Sequence, residues 1–181
     1  MRHATFSALS LIGLSGLSVG QAVNYPVSVD SSGAFGNDFS YYSQISDDGR
    51  YVVFQSKSSN LAQGDNNGRY DIFRHDLLTG TTELVSLRVN AMGSANGLGL
   101  SPDVSGDGRF VVYGSDAPNA VAGDTNGTWD VFLRDMELGV TERISVTSTG
   151  AQAAQRSDPG RISSDGRFVV FESDADLVAT K

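Results

Sequence analysis

An all-β protein made of repeated four-stranded antiparallel units is what this sequence predicts, and three observations carry that reading. ISDDGRYVVFQS at Ile45–Ser56 returns as VSGDGRFVVYGS at Val104–Ser115 and as ISSDGRFVVFES at Ile162–Ser173, 59 and 58 residues apart, so the chain is periodic. Each copy sets an Asp-Gly hairpin signal before an apolar run of β-branched and aromatic residues, which favours strand over helix. The block SSNLAQGDNNGRYDIFRHDLLTGTTELVS (58–86) then returns without a gap as APNAVAGDTNGTWDVFLRDMELGVTERIS (117–145).

The chain opens on a segment outside the period. Met1, Arg2 and His3 supply a short positive start, residues 4–19 an apolar stretch diluted by Ser and Gly, and Gly20-Gln21-Ala22 small residues at a cleavage site. That pattern predicts a secretory signal peptide over 1–22, and hence a periplasmic or extracellular mature chain. A transmembrane anchor would need roughly 18–20 strongly apolar residues, so no membrane insertion of the mature chain is expected. With no Cys in 181 residues, disulfides are not the device that stabilises an exported domain.

The repeat region follows over 23–181. Residues 23–44 read as the last strand and connector of a preceding unit, 45–103 and 104–161 as two whole units, and 162–181 as half of a third. In the first unit the expected strands are Ser43–Ser46, Arg50–Ser56, Tyr70–Asp76 and Thr82–Arg88. Asp48-Gly49, Asp107-Gly108 and Asp165-Gly166 read as structural turns, of type I′ with positive φ at both central residues. Four antiparallel strands repeated at this length are the signature of a β-propeller blade, whereas a Greek-key sandwich has no reason to repeat its loop residues. About 2.7 units are too few to close a ring of about four to eight blades. A partial propeller is therefore expected: a fragment of a longer one, copies that associate to complete the ring, or an open stack.

The motifs S-x-D-G-R-[YF]-V-V-[FY] and G-D-x-N-G-x-x-D-[IV]-F, with their V-S-type exits, resemble the TolB-like, WD-like propeller repeat of bacterial exported proteins over Val27 to Leu177. The resemblance implies a propeller fold. It does not specify a function, because that family includes binding modules, scaffolds and non-catalytic propellers fused to peptidases.

Strand parity places the connections. The first and third are tight and emerge on one side; the second (57–69) and fourth (89–102) are long and share the other. Binding is expected on that long-loop face, to a protein or glycan partner. A net charge of −8 argues against nucleic acid. The long second loop also holds the sharpest candidate chemistry. Asp65, Asn67 and Asp71, and again Asp124, Asn126 and Asp130, offer the oxygen donors that calcium takes on a Gly-bent loop, without the Gly and Glu of an EF-hand. The reading the residues favour is that Asp and Asn cap the turn through their own backbone while Gly takes a left-handed conformation, with calcium second.

Enzyme activity is not expected. Asp48, Asp107 and Asp165 recur with Arg50, Arg109 and Arg167 in every unit, as a turn requires and a single active site does not. His75 reads as a solvated side chain on a blade strand, and no serine sits in a nucleophile elbow. Trp129, aligned with Tyr70, reads as packing against the adjacent blade, with stacking on a sugar as the alternative. The sequence thus supports an exported interaction module with its long loops on one face and calcium as a candidate stabiliser of them, or else the non-catalytic propeller part of a larger secreted hydrolase or peptidase.

Overall fold

The computed structural model describes residues 8–11, 23–90 and 92–178. They form twelve strands: β1 (Ala8–Leu11), β2 (Val23–Pro26), β3 (Ser40–Ile45), β4 (Tyr51–Ser56), β5 (Asp71–Asp76), β6 (Thr81–Leu84), β7 (Gly99–Val104), β8 (Phe110–Ser115), β9 (Asp130–Asp135), β10 (Val140–Arg143), β11 (Ser157–Ile162) and β12 (Val169–Ser173). Two four-stranded antiparallel meanders, β3-β4-β5-β6 and β7-β8-β9-β10, are followed by the two-stranded β11-β12. The two strongest repeats, β4 and β8, therefore lie in different sheets. Of the expected leader, Ala8–Leu11 pair antiparallel with β2; the rest of 1–22 lies outside the described residues.

The apolar runs are continuous because each whole sheet is buried on both faces. Val52, Phe54 and Phe73 face one way, with Val27 and Leu61. Val53 and Ile72 face the other, against Val111, Tyr113 and Phe132 of the second sheet. The opposite face of that sheet presents Val112 and Val131 to Ile162, Val169 and Phe171. Phe54 and Phe73 stack at 5.8 Å, as do Tyr113 and Phe132. Each ring buried in this way contributes about 1.5–3 kcal/mol.

The tight turns lock one sheet to the next. Gly49 donates to Ser46 O at 2.9 Å, Gly108 to Ser105 O at 2.9 Å and Gly166 to Ser163 O at 2.8 Å. Within these three turns positive φ is confined to the glycines. These are type I turns followed by a left-handed Gly, not the expected type I′ turns. The Asp side chain makes the difference: Asp48 Oδ1 accepts from Ser46 Oγ and from Arg50 N–H, holding Asp48 at negative φ. Asp107 and Asp165 accept the equivalent pairs of bonds. Across units, Asp48 N–H donates to Gly106 O, and Gly106 N–H to Ser164 O. A Cβ on Gly108 would stand 2.0 Å from the Tyr51 ring, and one on Gly166 2.6 Å from the Phe110 ring. Each unit thus lays its strand-opening aromatic over the turn glycine of the next.

Arg50 and Arg109 tie the first tight turn to the third. Arg50 donates from Nε and Nη2 to Asp76, at 3.1 and 2.7 Å. Arg109 grips Asp135 in the same way, at 3.2 and 2.7 Å.

Three expectations change. The first strand is longer than Ser43–Ser46, because a bulge between Tyr41 and Gln44, with Tyr42 at φ 52°, breaks the alternation that would have shown it. The fourth ends at Leu84, not Arg88: Val85 and Ser86 N–H both turn to Ile72 O, and the Ser86 hydroxyl takes Ile72 N–H from the ladder and donates to Asp71. His75 is buried, not solvated, with Nδ1 2.8 Å from Thr82 Oγ1. Thr82 donates its own hydroxyl hydrogen to Val29 O, so the imidazole must supply the N–H. Burial lowers the His75 pKa.

Gly108→Ala should therefore cost about 3 kcal/mol in urea unfolding, from positive φ plus overpacking. Gly49→Ala, whose Cβ meets nothing within 4 Å, should cost only about 1 kcal/mol; equal costs would remove the interlock. The Arg109 hydrogen bond holds Asp135 at about 2, below its ordinary 3.8. The carboxylate's contribution is complete above about pH 4 and lost as pH falls towards 2. Asp135→Asn should flatten that part of the acid limb and lower stability at pH 7 by about 1 kcal/mol.

Candidate functional site

The second and fourth connections of each whole unit fold onto one rim and are stitched together there. Asn67 Nδ2 donates to Ala95 O at 2.7 Å while its Oδ1 accepts from Arg69 N–H at 2.7 Å. Asn126 does the same with Ala153 O at 2.9 Å and Thr128 N–H at 3.1 Å. Gly68 and Gly127 take φ 66° and 65° directly after these Asx turns. Between units, Asn119 Oδ1 accepts from Asn96 N–H at 2.7 Å, as Asn60 Oδ1 does from Asn37 N–H at 2.9 Å. A loop that reads as irregular is thus a hydrogen-bonded platform.

Beneath it lie the expected metal donors, and the two units use them differently. In the first, Asp71 is 1% exposed; its Oδ1 accepts from Ser86 Oγ at 2.6 Å, and its Oδ2 has no partner. Both carboxylate oxygens of Asp65 are also buried without a donor. Burial pushes Asp71 up to about 7, with the Asp65 charge adding to it, and burial raises Asp65 as well. In the second unit donors surround the same pair. Gln152 Nε2 reaches Asp124 Oδ1 at 2.9 Å and Asp130 Oδ2 at 3.1 Å, and Asn126 Nδ2 reaches Asp130 Oδ2 at 3.1 Å. Arg143 adds a guanidinium at 3.7 and 3.9 Å. Burial still raises Asp124, against the Gln152 hydrogen bond.

Two surfaces flank the rim. An open cleft of about 480 Å³ runs between Asp30–Ser32 and Asn60–Gln63. The other is an aromatic group that sequence reasoning missed: Phe39, Tyr41 and Tyr42 are 41%, 43% and 65% exposed. Tyr41 lies 6.1 Å from the Phe39 ring and 6.2 Å from that of Tyr70. The adjacent pair Tyr41-Tyr42 was the available signal, hidden because the bulge turns two neighbouring side chains outward. Trp129 is placed differently. Its carbonyl accepts from Ser157 N–H and the Arg156 guanidinium lies 5.8 Å from its ring, so the following unit packs against it.

Comparison with known proteins bears on the fold. No family model and no curated protein matches the chain. Among solved structures, one is a protein assigned as TolB in Agrobacterium tumefaciens, 21% identical with a TM-score of 0.52 over 86% of this chain and 44% of that one. The TolB of Acinetobacter baumannii is 20% identical, TM-score 0.44, over 75% and 27%. The tricorn protease is 16% identical, TM-score 0.43, over 81% and 11%. The chain thus spans less than half the length of these structures. Its all-β sheets are partial-propeller blades of the TolB-like kind, at the level of fold.

The dependence of the Asp124–Asp130 pair on Arg143 can be measured. Arg143→Leu, which installs the residue found at the equivalent Leu84, should lower stability by about 2–3 kcal/mol at pH 7 by leaving buried carboxylates without their cation. Urea unfolding unchanged by the substitution would show that the guanidinium does not serve this pair.

Proposed function

We propose that this chain is part of an exported β-propeller module that binds a protein or glycan partner on its long-loop rim. One observation carries the reading: Phe39, just before β3, and Tyr41 and Tyr42, in the first residues of β3, turn large rings to solvent at the end of the sheet where the long loops are held by the Asn60 and Asn67 hydrogen bonds. Aromatic side chains on a preorganised support are the usual anchors of an interface, since little entropy is lost on binding. Export follows in this reading from the leader-like residues 1–22, and calcium acts as an ion that stiffens loops. Among the described residues no helix is long and apolar enough to cross a membrane.

Peptide display and a glycan array on the full chain would identify ligands, whose affinity is then measured for variants. Tyr41→Ser and Tyr42→Asn, the latter keeping a residue that tolerates positive φ, should each weaken binding about tenfold or more. Leu78→Ser, on the opposite rim and 76% exposed, should leave it unchanged. Ligands that respond only to Leu78 would end the rim assignment. The mass of the secreted protein should correspond to a chain starting at Val23; one that retains residues 1–22 would end the export assignment.

A further inference from the structure

The two G-D-x-N-G loops share a backbone but not a charge balance, and that difference points to a ligand. In the first unit three carboxylate oxygens, both of Asp65 and Oδ2 of Asp71, are buried without a hydrogen-bond donor. The equivalent pair in the second unit is close enough for one amide nitrogen to bridge it, and the two loops are held by the same Asn hydrogen bonds. Neither Asp65 nor Asp71 forms an ion pair among the described residues; Arg88, the nearby cation, stands beside Gly93 instead, with its Nε also unpartnered. Two buried carboxylates without a counter-charge are a costly arrangement, and proteins answer it with a proton, an arginine or a metal ion.

The second unit shows the arginine answer. Arg143 faces Asp124 and Asp130 at 3.7 and 3.9 Å, and Gln152 bridges the same two carboxylates at 2.9 and 3.1 Å. The first unit has Leu84 where the second has Arg143. Ser94, whose backbone bridges to Leu87 as that of Gln152 does to Val146, takes the place of Gln152. Ser94 Oγ accepts from Asn66 N–H and does not reach the acids.

We propose that the first unit binds one calcium ion between Asp65 and Asp71, and that the second binds none because Arg143 and Gln152 occupy the equivalent place. Asp65 supplies two oxygens and Asp71 Oδ2 a third; Asn67, with Oδ1 engaged by Arg69 N–H and Nδ2 by Ala95 O, holds the loop and not the ion. Water completes the shell. An all-oxygen set of mixed charge on a Gly-bent loop suits calcium, which tolerates irregular geometry, better than magnesium. Among the described residues no three His, Cys, Asp or Glu side chains gather as metal ligands. Two carboxylates therefore carry the site, and its affinity falls in the range of extracellular calcium modules, Kd roughly 10⁻⁴–10⁻³ M. The proposal deepens the calcium part of the reading above and rests on it, but not on the aromatic rim.

Equilibrium dialysis of the full chain against calcium-45 counts the ions, and thermal melts with and without calcium read the coupling to stability. The expected result is one ion per chain and a melting temperature that rises with calcium. Asp65→Asn/Asp71→Asn should abolish both effects while its metal-free melting temperature is no lower than that of the parent, showing that it folds. Asp124→Asn should leave binding intact. Two ions per chain, or binding lost in Asp124→Asn and kept in the double variant, would overturn the one-site assignment while leaving calcium in place. No ion bound, the pair holding a proton instead, would overturn the calcium reading too. The rim is judged separately, by ligand binding to Tyr41→Ser.

Discussion

The stacking of one sheet on the next is the constraint on which the rest of this molecule depends. A four-stranded meander with apolar side chains on both faces has no stable existence alone; each face needs another sheet. The contact is specific because a ring is laid over a glycine: Tyr51 covers Gly108, and Phe110 covers Gly166. The same glycines take the left-handed backbone that ends each turn. Two demands, local and tertiary, thus fall on one residue. That double demand is a physical reason for Asp-Gly to recur with the aromatic two positions later.

The two ends of the units handle charge in opposite ways. At the tight turns every buried carboxylate has a partner, with Asp76 and Asp135 each held by two guanidinium nitrogens and by N–H groups of the third turn. At the long loops the carboxylates are more deeply buried and their balance is set unit by unit. A repeated scaffold allows this, because each copy of a loop hangs on the same hydrogen bonds whatever its neighbours carry. Fold is thereby separated from site. The Asn bridges at Asn67 and Asn126 keep both loops in shape, and the residues opposite them are free to differ.

Not every recurrence in such a repeat bears on function. Asp48, Asp107 and Asp165 recur because the turn needs a side-chain acceptor for two donors, and their geometry is alike in all three units. Asp71 and Asp130 recur too, each receiving a serine hydroxyl, yet their surroundings diverge. Recurrence marks the scaffold, and the departures from it mark the places where units can specialise: Leu84 against Arg143, and Tyr42 against Ser101 at the same bulge.

Periodicity, strand type, the grouping of long loops on one rim and the separate sheets of β4 and β8 were determined by sequence alone. All follow from local rules: spacing, β-branched runs, turn dipeptides and parity. Tertiary structure decided the rest. The turn type hung on a hydrogen bond from Ser46 to Asp48, the burial of His75 on a threonine whose hydroxyl reaches back to Val29, and the exposed aromatics on a bulge that breaks alternation. The charge balance of the two acidic pairs was written in residues 13 to 28 positions away, beyond the reach of a loop motif. Folding brings those residues together, and only then does an Asp at the same place in two repeats acquire two different chemistries.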